Sequence, residues 1–332
     1  MKRIVAALIL WGIVLSAILA GCFSQSGEAP SYVLRYAENQ PLDYPTTQGG
    51  IYFAQLVEER TNGDVKILVH YDEELGDETS VLQQVRFGGI DFARVSLSQI
   101  VTYSEKHAVL ILPYLYRDND HLWSVLDSEI GESFLGEIGK SGLFGLSWYD
   151  AGARHFYTSK KQLTCLEDLQ GLKIRVQESP YMEDMIRALG AEPVAIPYSL
   201  VYSNLSTGAV DGAENNWPSY ESMNHYQVAP YILLDGHVRI PEIQLMSSKT
   251  AASLPEEYLS IIQQCAKESA EYERELWAKQ EAASREIVES AGAVVMNLSE
   301  TERLKFQDAC KPIYETYAGD YRDIVQQIIE KQ

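Results

Sequence analysis

Residues 32–97 read YVLRYAENQPLDYPTTQGGIYFAQLVEERTNGDVKILVHYDEELGDETSVLQQVRFGGIDFARVSL. YVLRYAEN (32–39) has the composition of a strand, and GIYFAQLVEERTNG (50–63) that of a helix stopped at Asn62-Gly63. DVKILVHY (64–71) is again a strand, ETSVLQQVRFGGI (78–90) a helix closed by Gly88-Gly89, and IDFARVSL (90–97) a third strand. Strand, helix, strand, helix, strand predicts a parallel, doubly wound α/β sheet.

The pattern returns further along. GLFGLSWYDAG and HFYTSK read as strands, LEDLQGLKIRV as a turn into a strand, SPYMEDMIRALGA as a helix with Ser179 at its cap, and EPVAIPY as a strand. SLVYSNLSTGAV is a short helix, after which GAVDGAENNWPSY (208–220) arrives where a strand and its outgoing loop belong. From Leu254 to Ser290 runs one helical segment, with Ser253 and Glu256 spaced as a capping box and Gly292 as its stop. It would span roughly 55 Å, more than one small lobe needs, so it is expected to run along both. No linker separates the halves, which predicts two lobes, a hinge and a cleft.

Composition narrows the function. The 332 residues are 46% hydrophobic and 22% charged, with a formal net charge of −20. Such a surface does not suit nucleic acid or a polybasic membrane patch. Lys2-Arg3, the apolar run from Ile4 to Ala20 and Leu19-Ala20-Gly21-Cys22 form an export signal over residues 1–21 that resembles a bacterial lipobox, with Cys22 as the lipidated residue. Residues 22–31 would then be a polar tether holding the domain outside the cytoplasmic membrane, on its outer face or in a periplasm. Cys165, Cys265 and Cys310 are left, without a C-x-x-C. A Cys265–Cys310 bridge and buried free thiols are both compatible with that. The six histidines show no metal-binding spacing, and no phosphate loop, dinucleotide fingerprint or nucleophile elbow is present. No metal, cofactor or catalytic residue is therefore expected.

Two arginines lie at strand positions, Arg154 in YDAGARHFYTS and Arg175 in GLKIRVQ. Arg175 points away from the face of Ile174 and Val176. It faces either solvent or a cleft, where its planar fork would take a carboxylate in two parallel hydrogen bonds. Asp211 and Glu214 invite a hydrolase reading with two carboxylates across a scissile bond. Their separation by Gly212-Ala213 favours instead a role in fixing the backbone and orienting Arg175.

LEDLQGLKIRV and ALGAEPVAIPYSLVYSNLSTGAVDGAEN, with LGDE at 75–78, GGIDFARVS at 88–96 and LPYLY at 112–116, resemble the solute-binding subunit of TRAP transporters, the DctP family, over essentially the whole mature chain. The resemblance departs at Leu200, at Ser203-Asn204 and at Asp43-Tyr44-Pro45. It implies a periplasmic-binding-protein-like clamshell: lobe I from 32–152 plus 241–280, lobe II from 153–240 plus 281–332, and the long helix bridging them. It also implies that Arg175 clamps a ligand carboxylate beside Asn215, that Arg154 and Tyr198 line the pocket, and that Glu78 and Ser96 reach the ligand from lobe I. The implied partners are the membrane subunits of a TRAP permease.

Asn39, Gln177, Asn216 and His155 add hydrogen-bonding groups suited to a polyhydroxylated ligand. NNWPSYESMNHYQVA and WYDAGARHFYT are similar to the subgroup that binds hexuronates, D-glucuronate or D-galacturonate. Trp217 or Tyr220 would either stack on the sugar or pack the lobe. The alternatives are a C4-dicarboxylate or other organic acid as ligand, or a sensor that signals to a membrane kinase.

Overall fold

The protein is described by a computed structural model over residues 29–331. The signal segment 1–21, Cys22 and the tether up to residue 28 lie outside the described residues. Among the described residues no helix is long and apolar enough to cross a membrane.

The opening stretch forms the elements read from it. Strands β1 (Tyr32–Ala37) and β2 (Val65–His70) flank the helix Pro45–Arg60, and the helix Glu78–Phe87 leads to β3 (Phe92–Ser96). In β2, Val65 and Ile67 are buried while Lys66 and Leu68 are exposed, the alternation of a strand with one covered face. Every residue of β3 is buried, as in a strand covered on both faces. Asp77 caps the second helix by accepting from the Ser80 amide (2.8 Å), and Gly88, at φ 76°, ends it in the left-handed conformation that glycine adopts without strain.

The remaining strands are β4 (Leu143–Tyr149), β5 (Ala153–Thr158), β6 (Lys173–Val176), β7 (Glu192–Ala195), β8 (Gly212–Asn215), β9 (Tyr231–Arg239), β10 (Glu242–Ser247) and β11 (Val294–Asn297). One sheet has the order β2-β1-β3-β10-β4, the other β11-β9-β5-β8-β6-β7. Neither is purely parallel, contrary to expectation. β10 runs antiparallel to β3 and β4, and β5 runs antiparallel to β8 and β9. The cause is the double crossing of the chain. β4 ends in one sheet and β5 begins in the other after three intervening residues, and β9 returns through Pro241 into β10, so each crossing inserts a strand of reversed direction.

The long helix is Glu256–Ser290, 35 residues, and it spans both lobes. Pro255 precedes it, while the Ser253 hydroxyl donates back to Thr250 O (2.8 Å) at the end of a separate helix, so the expected capping box does not form. Cys265 and Ala266 pack in the first lobe's core and Val288 in the second's. Between them Trp277 meets Tyr44 edge-on, with ring centroids 5.9 Å apart. The C-terminal helices also return to the first lobe: His121 Nε2 lies 2.8 Å from Ile328 O, and Tyr314 donates to Pro113 O (2.8 Å). Cys165, Cys265 and Cys310 are free, the last two buried in separate core clusters, so no Cys265–Cys310 bridge forms.

Candidate functional site

Between the two sheets lies a small cavity. Its second-lobe wall starts at β6. Arg175 is 2% exposed, and both Nε (2.9 Å) and Nη2 (2.7 Å) donate to Ile196 O. Nη1 is buried with no hydrogen-bond partner among the described residues. Burial lowers the pKa of this guanidinium, which has no carboxylate paired with it among the described residues. A buried, half-used guanidinium is a costly group to leave alone and a strong seat for an anion.

Asn215 is placed beside it by strand pairing, because β8 runs parallel to β6 with Arg175 opposite Ala213. Its carbonyl oxygen accepts from the Asn216 amide (2.9 Å), which leaves its NH2 for the cavity. Arg154 lines the same wall but is already neutralised: Nε and Nη2 engage the Glu214 carboxylate, and Nη2 also reaches Glu214 O (2.9 Å). Glu214, expected to orient Arg175, holds Arg154 instead. Burial opposes charge on Glu214, but Arg154 and His237 outweigh it and keep its carboxyl at about 2. Asp211 accepts from the Lys173 amide (2.9 Å), a backbone role, and does not line the cavity.

The first-lobe wall is acidic. Arg94, on β3, is 3% exposed and donates to Glu38 through Nε (3.0 Å) and Nη2, to Glu242 Oε2 through Nη1 (3.0 Å), and to Asn39. Glu78 Oε1 lies 3.6 Å from Arg94 and accepts from the Ser96 amide (2.6 Å). Burial, reinforced by Glu242, pushes its carboxyl well above the usual range. Arg94, Glu242 and Tyr44 were missed in the sequence. The signal for Arg94 was available, since it is a guanidinium in the middle of a strand too apolar to be a surface one.

Asn39, Glu78, Gln177, Tyr198, Asn215 and Asn216 all line the cavity with the two arginines. Asn216 is mostly occupied as the cap of the helix Trp217–Ser222, accepting from the Ser219 amide (2.8 Å). Ser96 sits just behind the wall, its hydroxyl 3.0 Å from that of Ser98. His155 and Trp217 do not reach the cavity. His155 follows Arg154 on β5 and therefore projects to the opposite face, where Nδ1 accepts from the Gly236 amide (3.0 Å) and burial lowers its pKa to about 4. Trp217 is 4% exposed and packs with Tyr157 and Tyr220; it lines a separate depression together with His155. Tyr220 donates to Ala229 O (2.6 Å), so packing, not stacking on a ligand, describes both aromatics.

The lobes touch around the cavity. Tyr44 Oη lies 2.8 Å from Ser219 Oγ, Ser98 donates to Gln177 (2.9 Å), and Ser179 donates to Ser98 O (2.8 Å). Ser179 occupies the cap position of its helix, yet its hydroxyl is spent across the cleft.

Residues 36–320 match DctP, the bacterial extracellular solute-binding protein, family 7. A TRAP periplasmic solute binding protein from Xanthobacter autotrophicus Py2, solved with bound β-D-galacturonate, is 37% identical with a TM-score of 0.87, the match covering 90% of this chain and 100% of that one. One from Roseobacter denitrificans, with bound β-D-glucuronate, is 36% identical at a TM-score of 0.87, with 90% and 100% covered. A solute-binding protein of Chromohalobacter salexigens is 31% identical over 318 residues, 96% of this chain and 94% of its own length.

Proposed function

Because the chain belongs to the bacterial extracellular solute-binding protein family 7, DctP, we propose that it is the receptor of a TRAP transporter and binds a hexuronate, D-glucuronate or D-galacturonate, between its lobes. The observation that carries the proposal is Arg175, buried in the cavity with one nitrogen unpartnered and no paired carboxylate among the described residues. The ligand carboxylate docks on Arg175 and the Asn215 amide. The sugar hydroxyls meet Gln177, Tyr198, Asn39, Asn216 and Glu78, with Ser96 supporting Glu78 from behind and Arg154 fixing the wall. The bound uronates of two relatives at 36–37% identity support the ligand class.

The lobes divide at 32–152 plus 241–280 and 153–240 plus 281–332, and the liganded, closed form is what the permease's membrane subunits recognise. Lipid on Cys22 tethers the receptor outside the cytoplasmic membrane. No catalysis is proposed: Asp211 serves the backbone and Glu214 is held charged by Arg154, so neither supplies a general acid.

Calorimetric titration of the protein with uronates, aldonates and dicarboxylates tests the reading. Saturable binding of a hexuronate is expected, and Arg175→Ala should weaken it by ~1.5–3 kcal/mol, roughly ten- to a hundredfold. A response to dicarboxylates alone would sink the uronate assignment.

A further inference from the structure

Behind the ligand cavity, on the opposite face of β5, lies the depression that holds His155 and Trp217. Its polar groups converge on one irregular stretch of β9. The register of β5 against β9 shifts between Arg154 and Phe156, which leaves residues 234–237 outside the ladder. Three residues are anchored there: Arg303 Nη1 donates to Asp235 O (2.8 Å), His155 Nδ1 accepts from the Gly236 amide (3.0 Å), and the Tyr114 amide donates to His237 O (2.9 Å). Arg239 follows at the end of the strand, its Nη1 on Asn119 Oδ1 (3.2 Å). Each offers a donor to the depression. Burial lowers the His155 pKa to about 4, so the ring is neutral, and with Nδ1 accepting, its proton sits on Nε2. Tyr114 Oη is buried with no hydrogen-bond partner among the described residues, and its backbone is held at φ 57°, a left-handed conformation unfavourable to a bulky side chain.

Going beyond the uronate reading and independent of it, we infer that this depression is a second binding site, for a small tetrahedral oxyanion of the phosphate or sulfate class, held by Arg239, Arg303, His155 and Tyr114. Neither Arg239 nor Arg303 is paired with a carboxylate among the described residues, although the chain carries a net charge of −20. The other two arginines of the lining are committed, Arg117 to Ile329 O and Lys331 O, and Arg285 to Glu289 (2.8 Å). The two acids of the lining do not cancel the charge. Asp235 is fully buried and turned towards His237 (2.8 Å) and the Phe156 amide (3.2 Å), while burial, reinforced by Asp150, raises the pKa of Glu281 and favours its neutral form. Two guanidiniums, an imidazole N–H and a phenol suit a ligand that carries only acceptors and one or two negative charges. Phosphate and sulfate bring four oxygens to these donors where a carboxylate brings two. An orphaned hydroxyl on a strained backbone marks a built site, not a solvated surface.

The test is calorimetric titration of the full-length protein with inorganic phosphate and with sulfate, at an ionic strength held constant with chloride, repeated on Arg303→Gln and Tyr114→Phe with folding read by circular dichroism. One saturable site per chain is expected for at least one of the two anions, weakened about tenfold by Arg303→Gln and roughly three- to tenfold by Tyr114→Phe. That binding should persist in Arg175→Ala and in protein saturated with D-galacturonate, and Arg303→Gln should leave galacturonate affinity unchanged. The inference is overturned if neither anion binds beyond chloride, if Arg175→Ala or galacturonate abolishes the binding, or if folded Arg303→Gln binds like the wild type. Should Arg303→Gln fail to fold, Tyr114→Phe decides by the same criterion. Failure of galacturonate to bind, with the anion still held through Arg303 and Tyr114, overturns the uronate reading and leaves the second site standing.

Discussion

Arg175 and Arg154 sit on neighbouring faces of one wall and do opposite things. Arg154 is saturated by Glu214 and Arg175 is not, so the same side chain is scaffold in one place and, on the proposed reading, binding group in the other. Sequence pattern identified both arginines as strand residues but could not rank them, because pairing across β5 and β8 is a matter of register. The His237 imidazole completes the scaffold, 2.8 Å from Asp235 and 3.5 Å from Glu214. Burial opposes its charge, but Asp235 and Glu214 prevail and raise its pKa from 6.5 to about 9. The folded state therefore holds a proton that the unfolded chain releases near 6.5. The resulting stabilisation is complete below that pH and disappears as pH rises through about 9. A melting-temperature profile should fall between pH 6.5 and 9 in the wild type, and His237→Gln should flatten that segment. A variant profile parallel to the wild type's would remove His237 from this role.

At the scale of elements, Asn215 is positioned by β8, which pairs with β5 on one side and β6 on the other. That tight seat requires Gly212, because a Cβ there would come 2.5 Å from Tyr157 O, a backbone atom that cannot swing aside. Gly212→Ala should cost about 1–3 kcal/mol and weaken uronate binding as well, since Asn215 moves with the strand. Denaturant unfolding together with titration checks both, and unchanged stability would show that the strand tolerates the methyl. Much of this layer was legible: the opening strand-helix alternation, the KIRV strand and the long helix all follow from periodicity and glycine stops. What escaped was the reversal of β5 and β10, which comes from the chain crossing twice between lobes. The placement of His155 escaped too, since it depends on which face of β5 the cavity lies against. Arg94 escaped for another reason: its three carboxylates, Glu38, Glu78 and Glu242, are dispersed over two hundred positions of sequence.

For the whole molecule, the proposed capture of a ligand between the lobes implies an equilibrium between lobes apart and lobes together, whose position the contacts across the cleft would set. Ser179 is the cleanest probe of that equilibrium. Its hydroxyl, fully buried, donates to Ser98 O on the other lobe (2.8 Å), and it does not line the cavity. In the open form water can serve Ser98 O, so removing the hydroxyl penalises only the closed form. Ser179→Ala should therefore weaken uronate binding by about 0.5–1.5 kcal/mol, roughly two- to tenfold. The loss should appear as faster dissociation, and the melting temperature without ligand should stay the same. Small-angle scattering supplies the geometric half of the test. The radius of gyration should fall on adding uronate, and the variant should need proportionally more ligand for the same contraction. A variant that loses affinity while contracting at wild-type ligand concentrations would place Ser179 outside the closure equilibrium.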